Sequence, residues 1–148
     1  MVEEGARHRI VIVGGGFGGI RVALELSKFG GEFDITLISD KPHFEYHAAL
    51  YRVVTGRSPL EVCIPLSTIF ANSPVRLVED TIGTIYPKTK QLLGQDGAKY
   101  QYDSLVLALG SETAFFNIPG LREHSFTLKS IDDALRLKRH LHEVFIDA

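Results

Sequence analysis

The chain has 148 residues, the size of one ordinary domain, with 45% hydrophobic and 23% charged residues, a balance that excludes a disordered or fibrous chain. Its 16 basic and 18 acidic side chains leave a formal charge of −2, so no global basic field invites nucleic acid. One cysteine, Cys63, excludes an internal disulfide framework and a Cys-x-x-Cys site; the start MVEEGARHRI lacks a signal-peptide pattern, and no apolar run nears the ~20 residues that span a bilayer.

Residues 1–8 are mostly polar and read as a tail, with one domain expected over 9–148. Residues 9–13 (RIVIV) are a β-branched run ending directly in glycines, the pattern of a buried parallel strand. Gly14 to Gly19 make a turn. Ile20, Ala23, Leu24 and Ser27 follow at helical spacing, with Gly30-Gly31 as the stop. Residues 33–39 (FDITLIS) form a second apolar strand. Strand, helix and strand within ~30 residues predict a right-handed βαβ unit.

The stretch 40–56 (DKPHFEYHAALYRVVTG) is the richest in aromatics and histidines. Ser58 and Pro59 predict the cap and first position of a short helix that Pro65 interrupts, and residues 67–70 read as another helical turn. Strands are expected at 75–79, 81–86, 90–93 and 99–102, with a turn at 95–98, so the middle reads as a small antiparallel meander. Residues 104–109 (SLVLAL) are again a continuous apolar strand, ending in Gly110. In 130–145, Ile131, Ala134, Leu135, Leu137, Leu141 and Val144 recur at helical spacing behind Ser130, Asp132 and Asp133, a favourable helix N-terminus.

Gly14-Gly15-Gly16-Phe17-Gly18-Gly19 satisfies G-x-G-x-x-G between a strand and a helix, the context in which the motif has its mechanism. Gly14 permits the sharp turn, Gly16 lets the backbone approach a pyrophosphate, and Gly19 lets helix and strand pack closely. The first helical N–H groups and the helix dipole then face two phosphates. A glycine-rich turn in a non-binding α/β domain is the blander alternative, but five glycines in six residues cost backbone entropy. The predicted fold class is therefore α/β: a Rossmann-like parallel sheet with a βαβ dinucleotide-binding unit and an inserted small antiparallel β-meander. The fingerprint ends with an acid at the tip of the second strand, bonded to ribose hydroxyls. Here the tip is Ile38-Ser39-Asp40, with Ser39 at the acid's position, where it bonds a hydroxyl more weakly than a carboxylate does. Asp40 either compensates or starts the turn before Lys41-Pro42, and both roles stay open.

Other residues carry weaker signals. Cys63, in EVCIP, reads as a small buried hydrophobe ahead of a reactive thiol. His43 and His47, four apart near Glu45, are placed to share a helical face but offer too few ligands for zinc. They read as polar loop residues, the alternative being a histidine that tunes a nearby cofactor ring. Arg136, Lys138, Arg139 and His140 read as a solvated face rather than an anion-binding patch.

Taken together, RIVIVGGGFGGIRVALEL, ITLISDKPHFEYHAALYRVVTG and YDSLVLALGSETAFFNIPGL resemble the N-terminal portion of type II NADH dehydrogenases. These belong to the two-dinucleotide-binding flavoproteins, the pyridine nucleotide-disulfide oxidoreductase superfamily. The likeness runs over about residues 8–145, and residues 102–110 with Ile118-Pro119-Gly120 carry more of its specificity than the glycine turn. The resemblance implies FAD at the first glycine motif. Gly14, Gly16 and Gly19 would hold its pyrophosphate, and Ser39 or Asp40 would meet the adenosine ribose, some members carrying serine rather than an acid there; Phe17, Gly18 and Lys41 join them as expected cofactor contacts. Thr81 and Ile82 would lie by the adenine, Leu109, Gly110 and Ser111 beneath FAD near its phosphates, and residues 44–51 near the flavin ring.

The resemblance further implies NAD(P)H bound by a second domain with its own glycine motif, a return strand ending in Gly-Asp, and a segment that touches membrane or quinone. These 148 residues contain none of the three. The chain reads as the FAD-binding part of an NAD(P)H dehydrogenase that passes electrons to a quinone or another acceptor, truncated before the NAD(H) domain and inactive alone. The whole enzyme is expected to be cytoplasmic or peripheral to the inner face of a membrane. The expected partners are FAD and the NAD(H) domain or a second copy of the chain, with no nucleic acid and no membrane contact of its own. Without the return strand, a sheet edge is expected to stay open and to invite self-association. Disulfide reduction and sulfide oxidation through a cysteine pair need a second cysteine, which the chain lacks. The rival readings are a stand-alone dinucleotide-binding module without turnover and an NAD-binding Rossmann domain of another dehydrogenase.

Overall fold

A computed structural model describes residues 7–29 and 31–146; most of the expected tail, and Gly30 of the expected helix stop, lie outside them. In chain order the strands are β1 (His8–Val13), β2 (Phe33–Ser39), β3 (His43–Glu45), β4 (Cys63–Pro65), β5 (Arg76–Glu79), β6 (Ile82–Tyr86), β7 (Gln91–Gly94), β8 (Lys99–Gln101) and β9 (Ser104–Leu107). The helices are α1 (Phe17–Ser27), α2 (Leu50–Val54), α3 (Leu66–Ile69) and α4 (Ile131–Ile146), with single 3₁₀ turns at His47–Ala49 and Pro59–Glu61.

The β-branched runs become a four-stranded parallel sheet of order β5-β2-β1-β9. Alternation along each strand sends successive side chains to opposite faces. Ile10, Ile12, Ile35 and Leu37 meet Ile20 and Ala23 of α1, together with Phe44, Leu66, Phe70 and Val75. On the other face Val11, Val13 and Ile38 meet Leu92 of the antiparallel meander β6-β7-β8 and Tyr102 just after β8. Each fully buried side chain of this size contributes roughly 1.5–3 kcal/mol. At its foot the sheet is tied by Arg9, whose guanidinium Nε and Nη2 donate to Asp103 at 3.1 and 2.9 Å while its backbone N–H donates at 2.8 Å.

The chain gathers into two compact units, residues up to 44 with 65–110, and residues 45–64 with 111–148. The first holds the parallel sheet, α1 and the meander. In the second, Ala49, Leu50, Val53 and Val62 pack with Ala134 of α4. The N-terminus of α4 is doubly served: Ser130 Oγ accepts the Asp133 N–H, as the sequence predicts, and the Glu45 carboxylate accepts the Ile131 N–H at 3.1 Å.

Three expectations need correction, and one stretch left unassigned gains a structure. The strand at 76–79 leaves the meander and pairs parallel with β2. The unassigned region 47–54 is helical, although α2 begins without a side-chain cap and ends in two valines; burial of Leu50 and Val53 holds it. The helix expected after Ser58 is a single 3₁₀ turn, in which Ser58 Oγ accepts the Leu60 N–H, and Cys63–Pro65 is a strand. His43 and His47 share no helix, since one lies in β3 and the other in a 3₁₀ turn.

Candidate dinucleotide site

β1 delivers the chain into the glycine turn, and two backbone bonds hold the turn at the sheet. Gly14 N–H donates to the Ile38 carbonyl of β2, and Ala108 N–H donates to the Val13 carbonyl, both at 2.8 Å. Gly14 has φ +116°, and a Cβ there would overlap the Ala108 carbonyl oxygen, so only glycine fits. A Cβ at Gly19 would overlap the Gly14 carbonyl oxygen, which sets the close approach of α1 to its own turn. Gly16 differs from both: a Cβ there would meet nothing within 4 Å. Its glycine is not demanded by the protein's own packing. Gly18 is exposed, and a Cβ there would make only ordinary contact with Ala108.

Gly16 is also the residue before α1. The helix starts with no side-chain cap and no acidic residue in its first turn. Its leading backbone N–H groups have no acceptor within the helix, and the positive end of its dipole lies at Gly16. Phe17 anchors the turn: its ring, itself 56% exposed, stands edge-on to buried Phe44 at 4.7 Å between centroids.

At the tip of β2 the structure sets Ser39, Asp40 and Lys41 in different surroundings. Ser39 is buried, 5% exposed, and its hydroxyl accepts the Lys41 N–H at 3.3 Å. The same hydroxyl fills the space a Cβ of Gly15 would need, so Gly15 is a third position the packing reserves for glycine. Gly15 is a variable position of the G-x-G-x-x-G pattern, so only the packing identifies it. Asp40 is exposed and Lys41 half-buried. Thr81 is exposed, whereas Ile82 turns into the meander core. Leu109 is 69% exposed, and Gly110, with φ +75°, ends the backbone that leaves β9.

Asp40 and Thr81 share a cleft of about 210 Å³ with Glu79, Asp80, Gln95 and Asp96. Asp80 belongs to the framework of this cleft. Its N–H donates to the Ser39 carbonyl at 3.0 Å, and its carboxylate accepts the Tyr100 hydroxyl at 2.6 Å. Burial, then the bond to Asp80, pushes the Tyr100 hydroxyl up to about 12. Gly94 is glycine because a Cβ there would overlap the Asp80 carboxylate. Glu79 and Asp80 escaped the sequence reading because strand pairing, not spacing, brings them beside Ser39.

A larger cleft of about 570 Å³ lies in the second unit, lined by Ser111, Arg122, Lys129 and Arg136 among others. Its cations are engaged: Arg136 pairs with Asp133, Lys129 donates to Ser111, and Arg122 lies over the Phe115 ring. Asp133 is held below the usual carboxylate range; burial opposes this, but hydrogen bonds from Lys129 N–H, Thr127 and Arg136 outweigh it. This cleft has no uncapped helix start and no open glycine turn. Cys63 is a half-buried free thiol, and Lys138, Arg139 and His140 are exposed on α4. Among the described residues no cluster of three or more His, Cys, Asp or Glu gathers to hold a metal, and no helix is long and apolar enough to cross a membrane.

A parallel sheet whose first strand runs through a G-x-G-x-x-G turn into a helix defines a Rossmann-like chain. The chain belongs to the pyridine nucleotide-disulphide oxidoreductase family, which matches residues 8–146. It is 30% identical to a sulfide-quinone reductase of Aquifex aeolicus over 95% of this chain and 32% of that protein. It is likewise 30% identical to a type II NADH:quinone oxidoreductase of Staphylococcus haemolyticus over 94% of this chain and 35% of that protein. The crystal structure of the Aquifex aeolicus sulfide:quinone oxidoreductase superposes with a TM-score of 0.85 at 29% identity, over 94% of this chain and 32% of that one. The chain thus spans about a third of the length of these relatives.

Proposed function

We propose that this chain is the FAD-binding part of an NAD(P)H-dependent flavoprotein oxidoreductase whose electrons leave to a quinone. The observation that carries the reading is the contrast within one turn. Gly14, Gly15 and Gly19 are reserved by protein atoms, while Gly16 faces open space at the start of an uncapped helix. A pyrophosphate is the group that such a cradle suits: backbone donors, a positive dipole end and no side chain in the way. Both relatives described above carry quinone in their names, which supports a quinone as acceptor.

In this reading the backbone of residues 14–19 holds the diphosphate, Asp40 and Thr81 stand at the adenosine end, and Leu109 and Gly110 line the other side of the turn. Bound FAD would supply hydride acceptance and onward electron transfer, chemistry that belongs to the cofactor. The chain's own residues bind it and fix its orientation.

The test is one spectrum and one variant. FAD titrated into the 148-residue chain is expected to show shifted flavin absorbance bands that saturate with protein. Gly16→Val is expected to abolish FAD and ADP binding while the far-UV spectrum stays that of the folded chain. Flavin bands left unshifted by a chain that still binds ADP-ribose would move the reading to an NAD-type Rossmann domain. Unchanged affinity in Gly16→Val would remove the turn as the site.

A further inference from the structure

Of the six residues from Gly14 to Gly19, only Phe17 has a side chain. Packing fixes the two ends of this turn. Gly14 lies against the Ala108 carbonyl, Gly15 against the Ser39 hydroxyl, and Gly19 against the Gly14 carbonyl. The apex is looser: a Cβ at Gly16 would meet nothing, and one at Gly18 only ordinary contact with Ala108. Glycine on both sides of Phe17 gives the backbone there its widest choice of dihedrals. Yet the apex is where phosphate donors are needed. The first bond inside α1 runs from the Ile20 N–H to the Gly16 carbonyl at 3.0 Å, so Gly18 and Gly19, ahead of it, present their N–H groups at the helix end.

Phe17 reaches from this apex to a fixed point. Its ring centroid stands 4.7 Å from that of Phe44, with 81° between the planes, the edge-to-face geometry that aromatic pairs favour. Phe44 cannot move: it is 8% exposed and packs with Leu66 and Phe70 in the core on the α1 side. Just before it, the Pro42 carbonyl accepts the Leu66 N–H at 3.0 Å. Phe17 itself is more than half exposed, so filling the core does not account for it.

We infer that Phe17 is a positioning residue for the phosphate cradle: held edge-on by Phe44, it fixes the apex of the glycine turn in its binding conformation before a ligand arrives. This rests on the dinucleotide reading of the turn. A loop already in its bound conformation gives up no freedom on binding, so the ring raises affinity by acting through the backbone. It also gives the buried ring of Phe44, in the aromatic-rich stretch after β2, a part in ligand binding.

The experiment is calorimetry of ADP on the 148-residue chain, with thermal unfolding of the free chain beside it. Phe17→Ala is expected to weaken ADP about tenfold, through a less favourable binding entropy, while the unfolding midpoint stays within a few degrees of the parent. Phe17→Tyr keeps the ring, its hydroxyl directed to solvent, and is expected to bind within about twofold of the parent. In a Phe44→Leu background, where the partner ring is gone, the further loss from Phe17→Ala is expected to shrink to about threefold or less. Parental affinity in Phe17→Ala, a loss that Phe17→Tyr does not restore, or a loss of the same size with and without the Phe44 ring overturns the inference and leaves the turn assignment standing. A midpoint lowered by more than about ten degrees in Phe17→Ala would make the role structural and overturns it too. A parent chain that fails to bind ADP overturns both.

Discussion

At Gly19 an added Cβ would overlap the Gly14 carbonyl oxygen, so α1 approaches its own turn at a distance only glycine allows. The contact is backbone against backbone and cannot relax by a rotamer change. Gly19→Ala is therefore expected to cost about 3 kcal/mol, at the upper end of overpacking effects, read as a lower urea midpoint. Gly16→Ala is the control: φ is −85° there and the space is open, so stability should stay within about 0.5 kcal/mol. Equal midpoints for the two variants would sink the distinction between packing glycine and binding glycine. A second residue-scale prediction concerns Asp103. Side-chain bonds from Arg9, and then the Arg9 backbone N–H, hold its carboxyl well below the usual carboxylate range. A depressed folded pKa contributes stability above the unfolded value, and that contribution fades as pH falls through ~4 toward the folded pKa. Asp103→Asn should thus flatten the decline of the unfolding midpoint on acidification below pH ~4, and parallel curves for the two proteins would count against the Arg9 clamp.

At the scale of elements, β9 is the last strand of the parallel sheet and pairs only with β1 among the described residues. Leu107 on it is 51% exposed. An open, apolar strand edge pairs readily with another chain, and a lysine on such an edge blocks pairing. Leu107→Lys is expected to reduce self-association of the 148-residue chain in sedimentation velocity, and an unchanged distribution would acquit this edge. The same elements show what local sequence conveys. Residues 33–39 are β2 with both ends as expected, and β1 differs by one residue, because an apolar run bounded by glycine or aspartate reads as a buried strand. The glycine turn was legible for the same reason: its spacing is local. α2 was not, since so short a segment, ending in two valines, is helical only through the burial of Leu50 and Val53. Nor was the pairing of Glu79 with Ser39, which joins residues 40 positions apart through a parallel register that no spacing rule encodes.

For the whole molecule, the match to relatives about three times as long bears on affinity. The adenosine half of the proposed site is drawn from the glycine turn and the β2 tip, both within the first unit. On the proposed reading, the flavin half of a complete site also draws on the return strand that the resemblance implies. A flavin ring held on this chain gains only what it buries here. Losing one bond to a charged group costs ~1.5–3 kcal/mol, and each 100 Å² of ring left wet forfeits roughly 2.5 kcal/mol. At tenfold per ~1.4 kcal/mol, the shortfall against a complete site is at least about a hundredfold. The diphosphate and adenosine contacts are untouched by that loss, so FAD and ADP should bind this chain with Kd values within roughly fivefold of each other, that is, within about 1 kcal/mol. Calorimetry with both ligands on the same preparation decides it. FAD binding far more tightly than ADP would mean that the ring is enclosed after all, and repeating the titration at tenfold lower protein concentration would show whether a second copy of the chain encloses it.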